Sequence, residues 1–116
     1  MRKTLTALAL AFATAGPAAA DLVVPNLSYR TGPFAANGIP YADGFNDYFT
    51  LLNERDGGIG GEKVVTPECE TAYNTEKGVE CYEATKGSGA LVYNPLSTGI
   101  TYQLIPKVSA DKIPLY

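Results

Sequence analysis

The sequence predicts an α/β fold: a parallel sheet flanked by helices on both faces. Three observations carry that prediction. Short strand-like runs, Leu22–Leu27, Lys63–Thr66 and Ala90–Tyr93, alternate with longer stretches of helical periodicity. Glycine- or proline-bearing turns separate the two kinds of stretch. Ala90–Gly99 reads as a short buried strand that runs straight into a turn and then into a helix, the place where open α/β sheets bind ligands.

The chain of 116 residues opens with a segment that is not part of this pattern. Arg2 and Lys3 are followed by the apolar run Leu5–Ala15, the breaker Gly16-Pro17 and the small residues Ala18, Ala19 and Ala20. That order predicts a secretory signal peptide over 1–20. The apolar run is well short of the ~20 residues needed to cross a bilayer, and no other segment approaches that length, so the chain is read as not membrane-spanning.

Strand one is Leu22–Leu27, with Pro25 requiring either a late start to the pairing or a bulge, because proline lacks the ladder amide. A helix follows from about Ile39 to Arg55. Ala42, Phe45, Phe49 and Leu52 recur at steps of three and four, Pro40 suits a first turn, and Gly57-Gly58 ends it. The phenylalanines are read as core. The second strand, Lys63–Thr66, has Pro67 close behind it, which suits an edge position. Asn74 or Thr75 caps a second helix running to about Lys86. After strand three, Ile100, Leu104 and Val108 mark a third helix that Pro106 must kink or displace. Lys112–Tyr116 begins a fourth strand with no helix after it, and this unfinished pattern is read as an amino-terminal portion, residues 21–116, of a longer domain.

Composition narrows the function. Two of nine basic residues and none of twelve acidic ones lie in 1–20, so 21–116 carries seven against twelve, a net charge of −5. No Lys/Arg cluster exists to neutralise phosphates, which argues against a nucleic-acid role. Export makes Cys69 and Cys81 candidates for one disulfide, worth about 3 kcal/mol in the chain-entropy model. A metal or redox site is the weaker alternative, since the spacing is not C-x-x-C and the chain has no histidine. At the strand-to-helix turn, Ser97 and Thr98 place two hydroxyls at the N-cap. They serve either the helix's own free N–H groups or an anionic ligand.

Four stretches together resemble a known family: DLVVPNLSYRTGPFA from Asp21, LNERDGGIGG from Leu52, ECETAY from Glu68 with GVECYE from Gly78, and NPLSTG from Asn94. They are similar to the branched-chain amino acid ABC transporter substrate-binding proteins of the leucine/isoleucine/valine type. The resemblance implies the type I periplasmic binding protein fold, of which this chain is part of the first lobe. It implies a periplasmic receptor that captures an amino acid or a related small carboxylate or amide, without a cofactor, and delivers it to an inner-membrane ABC permease. In that family the ligand's carboxylate is held at the turn matching Leu96-Ser97-Thr98-Gly99, and Ser97 falls on the family's serine. Asn37 stands where leucine-type receptors carry a tyrosine, a departure that weighs against a leucine-like ligand. Arg30, with Tyr29 after strand one, is either a second carboxylate partner through its two-pronged guanidinium or a surface arginine. The competing classes are a sensory receptor on the same fold and a secreted enzyme. Against the enzyme stand the lack of histidine, of a G-x-S-x-G elbow and of a phosphate loop.

Overall fold

The computed structural model describes residues 20–116; the expected signal peptide lies outside the described residues but for its last, Ala20. The first strand comes in two pieces, β1 (Leu22–Val23) and β2 (Asn26–Ser28). The second does likewise, as β3 (Val64–Val65) and β4 (Glu68–Glu70). Both pairs are parallel and share one register: Leu22 faces Val64, Asn26 faces Glu68 and Ser28 faces Glu70. In that register Pro25 stands opposite Pro67, so the two ladders are one pair interrupted at a shared point.

This differs from both readings of Pro25 offered by the sequence. Pairing starts ahead of it, at Leu22, and the constant register leaves no bulge. The Thr71 amide donates to the Ser28 carbonyl at 2.8 Å; two steps of two residues back, the amide that Pro67 lacks would point at Val24. The first strand's own donors bridge the gap, Val24 N to Val65 O at 2.9 Å and Asn26 N to Pro67 O at 3.0 Å. The second strand therefore continues past Pro67 to Glu70.

Ala90 is bridged in parallel to Val23, and Leu115 to Tyr93. The expected third and fourth strands are present only as these single bridges; through them the order runs second, first, third, fourth, with the second strand at an edge as the sequence expects. The connection from first to second strand runs one way and the connection from second to third runs back. With right-handed crossovers, the intervening helices fall on opposite faces.

The first of these helices, α1 (Ala35–Asp56), begins four residues earlier than predicted. Pro40 is therefore inside it. The lost hydrogen bond would have gone to the carbonyl of Ala36, which lies on the exposed side where water replaces it. Gly57 in the left-handed conformation, φ 71°, closes the helix as expected. Of its side, only Gly38 and Ala42 are buried. Phe45, Phe49 and Leu52 are half-buried rather than core, because Gly38 brings the helix axis onto the backbone of Tyr29 and leaves the aromatic row flanking the contact. Tyr41, Phe45 and Phe49 stack along it at centroid spacings of 6.1 and 5.1 Å. Polar contacts complete the docking. Asn53 donates to the Val64 carbonyl at 2.7 Å and accepts from the Val64 amide at 2.8 Å, and Asn46 bonds Thr66 and Glu68.

On the other face, α2 (Thr75–Thr85) and α3 (Thr98–Asp111) pack together over the sheet. Asn74 caps α2, its side chain accepting from the Lys77 amide at 2.9 Å. Removing that acceptor leaves an amide of the first turn unpaired, so Asn74→Ala should lower unfolding free energy by about 1 kcal/mol, read as an earlier urea midpoint at unchanged slope. Ile100, Leu104 and Val108 are all buried, as their spacing predicts. They join Leu27, Cys81, Tyr82, Ala90 and Tyr93 in one apolar cluster. Pro106 sits inside α3 without displacing its start. The carbonyl it leaves free belongs to Tyr102, on the solvent face. Cys69 and Cys81 form the predicted disulfide, tying β4 to α2 with their Cα atoms 5.7 Å apart.

Candidate functional site

Because the strands are parallel, their carboxyl ends share one edge. There the chain exits at Tyr29–Thr31, Thr71–Asn74, Asn94–Ser97 and Tyr116. Among the described residues, three of the four non-glycine residues with positive φ sit on these exits: Ala72 (51°), Tyr73 (60°) and Leu96 (46°). Such conformations cost of order 1–3 kcal/mol each and gather where function needs them.

Ser97 is the N-cap of α3, in extended backbone and nearly buried. Its Oγ accepts from the Ile100 amide at 3.4 Å; this uses a lone pair, so the hydroxyl keeps its own proton to donate. The capping role anticipated from the sequence is therefore present. Thr98 and Gly99 follow on the exposed first turn, where a helix's leading amides have no partner within the helix. A Cβ on Gly99 would lie 3.0 Å from Thr75 Oγ1. The amino ends of α2 and α3 therefore stand side by side, and both present partial positive charge to the same edge.

The residues after the first strand form a second group at that edge. Tyr29 is buried, its ring edge-on to Tyr73 at 5.1 Å, and Tyr73 in turn lies 4.4 Å from Phe34. Burial, then the neighbouring Tyr73, pushes the Tyr29 phenol above its ordinary pKa, so it stays neutral. Asn37 is exposed on the first turn of α1, its amide bonded to the Phe34 carbonyl at 2.9 Å.

Arg30 is engaged from within the chain. Its Nε and Nη2 hold the Glu68 carboxylate, the latter at 3.1 Å, and Nη1 holds Asp43 at 2.7 Å. The two-pronged grip that the sequence reading offered to a ligand is spent on Glu68. That bond is the main cause of the Glu68 carboxyl lying below its usual range. Arg30 thus fastens the first strand's exit to β4 and to α1.

Sequence reasoning missed four residues here. Tyr73, Phe34 and Thr75 reach the edge through loop geometry, though the Asn74 cap already places Tyr73 and Thr75 at the same end of the sheet as Ser97. Glu70 gave no local signal. Its carboxylate accepts from the Arg30 and Ala72 amides, both at 2.8 Å, with Ser28, Thr31 and the Thr31 amide also donating to it. Burial alone would raise its pKa, but the Arg30 and Ala72 amides and Thr31 outweigh it and hold the group below the usual carboxylate range. Among the described residues no group of three His, Cys, Asp or Glu is placed to hold a metal ion, and no helix is long and apolar enough to cross a membrane.

The edge can therefore receive a small anion or dipole at the α3 end, beside an aromatic group. Comparison with known proteins bears on what such an edge serves. The family model for periplasmic binding proteins matches residues 21–116. The Leu/Ile/Val-binding protein BraC3 of Rhizobium johnstonii is 34% identical over 100 residues, covering 84% of this chain and 27% of that protein. A solved structure from the Pseudomonas fluorescens group, described as an ABC transporter permease, superposes with TM-score 0.78 at 40% identity, covering 82% of this chain and 24% of that one. A fatty acid ABC transporter substrate-binding protein from Thermomonospora curvata shares the fold, with TM-score 0.71 at 18% identity over 81% of this chain and 25% of its own. The chain thus spans about a quarter of the length of these relatives.

Proposed function

The chain belongs to the periplasmic binding protein family, and from that membership we propose that it is the opening part of an ABC transporter's solute-binding protein. Residues 1–20 would direct export to the periplasm, and 21–116 would form part of the first lobe of a two-lobed type I receptor. The solute is an amino acid or a related small carboxylate or amide. It is captured without chemistry and handed to an inner-membrane permease. The observation that carries this reading is the pairing of two helix amino ends at the carboxyl edge, with Ser97 nearly buried between strand and helix.

In this reading the Ser97 hydroxyl and the amides of Thr98 and Gly99 take the solute's carboxylate or amide oxygen. Tyr29 and Asn37 stand at the same edge, where the rest of the solute would lie. Arg30 ties the exit after Tyr29 to β4 and to α1 rather than touching the solute. Closure of a second lobe would exclude water and strengthen each polar contact.

A thermal-shift screen of the full-length mature protein against amino acids, small amides and aromatic acids tests the reading, since a ligand that binds only the folded state raises the melting temperature. One chemical class should raise it clearly. A flat response from folded, ligand-free protein would count against the transport reading and reopen the sensory and enzymatic alternatives. Ser97→Ala should weaken a carboxylate solute by about 1–3 kcal/mol, the usual effect of deleting a partner of a buried charged acceptor. Isothermal titration that gave equal affinity for both proteins would return Ser97 to capping alone.

A further inference from the structure

Away from the α3 end, the donors of this edge converge on one group. Glu70 Oε2 accepts from Ser28 Oγ at 3.2 Å and from the Arg30 amide at 2.8 Å. Oε1 accepts from the Thr31 amide at 3.3 Å, Thr31 Oγ1 at 3.0 Å and the Ala72 amide at 2.8 Å. Those five donors come from the end of β2, the exit after it and the exit after β4. A carboxylate offers about four lone-pair sites, so this one is saturated. Three of the donors are main-chain amides, which stay in place whatever side chain stands at position 70. Converging backbone amides of this kind are the usual construction of an anion receptor.

We propose that the exits of the first two strands form a carboxylate receptor whose resident ligand is Glu70, and that Glu70 thereby acts as a positioning residue for the neighbouring solute edge. The Ala72 amide is one of its bonds, and Ala72 and Tyr73 are the two adjacent residues held at φ 51° and 60°. With that bond in place, the Tyr73 ring packs on Tyr29 and Phe34 and Thr75 meets Gly99. Glu70 thus holds together the two groups of residues at the edge. The word "solute" here rests on the function proposed above; the receptor itself does not.

Chemical rescue of the full-length mature protein tests this. In Glu70→Gly the five donors lose their ligand, and a free small carboxylate can take its place. Sodium acetate should raise the melting midpoint of that variant by about 2 °C or more over sodium chloride of equal ionic strength. Wild type, whose receptor is full, should show no such difference. Should Glu70→Gly be unfolded in chloride, acetate should restore its folded spectrum. The rise should persist in Glu70→Gly/Ser97→Ala, which separates acetate in this receptor from acetate at α3. Acetate should also return the Arg30, Thr31, Ala72 and Tyr73 amide resonances towards their wild-type positions, a response that a general staple would not give. Equal effects of acetate on wild type and variant, loss of the rise with Ser97→Ala, or failure to restore fold or resonances would each overturn the proposal. None of these readouts involves a transported solute, so a flat solute screen and a failed rescue are distinct results.

Discussion

Gly38→Ala should destabilise the protein by about 3 kcal/mol, although the same exchange in an open helix stabilises by about 0.5–1 kcal/mol. A Cβ at position 38 would stand 2.0 Å from the Tyr29 carbonyl oxygen and 2.4 Å from its ring carbon Cδ2. The first of these is main chain directly after β2 and cannot swing aside. The methyl group must therefore push α1 off the sheet, loosening Ala42 and the paired bonds of Asn53 to Val64 together. Gly44, in the same helix, is the internal control: a Cβ there meets nothing within 4 Å, so Gly44→Ala should gain stability. Urea unfolding of both variants decides the matter. Similar midpoints for the two would mean that the close approach of α1 to Tyr29 is not what holds this helix.

Opening the Cys69–Cys81 bond should cost about 3 kcal/mol, within the usual range for a native disulfide. The two cysteines are 12 positions apart and join β4 to α2. Without the bond, the unfolded chain regains the freedom of that loop. Folded α2 then keeps only its packing on α3 and on the sheet, with Tyr82 in the apolar cluster beside Leu27 and Tyr93. Reductant should lower the wild-type melting temperature by several degrees. Cys69→Ala/Cys81→Ala should melt near the reduced value and ignore reductant. A wild type equally indifferent to reductant would deny the bond its stabilising role.

The features read correctly from sequence are those written in a few neighbouring residues. The Asn74 cap, the Gly57 stop and the buried Ile100, Leu104 and Val108 each need no more than a turn or two of chain. Four short motifs carried the family resemblance. What escaped was set by partners far along the chain. Arg30 finds Glu68 at a separation of 38 residues, and Ser28 finds Glu70 at 42. No local pattern announces such pairs, so the sequence leaves Arg30 open between a ligand partner and a surface arginine and gives no sign of the role of Glu70. The start of α1 was misjudged because proline was placed by its commonest helical position. Its actual site, with the orphaned carbonyl of Ala36 facing water, is equally permitted by the chemistry. Phe45 and Phe49 were assigned to the core by periodicity, which shows the face they share but not how close that face approaches the sheet.

The paired bonds between Asn53 and Val64 have a consequence for the protein's behaviour towards other chains. The second strand is the outer one on its side of the sheet, and a bare outer strand is a template on which a foreign strand can add. Here a side-chain amide occupies both the N–H and the C=O of Val64, the same two groups an incoming strand would need. A helix residue thus stands in for the missing neighbour, and the border of the sheet is closed to aggregation by strand addition at that point.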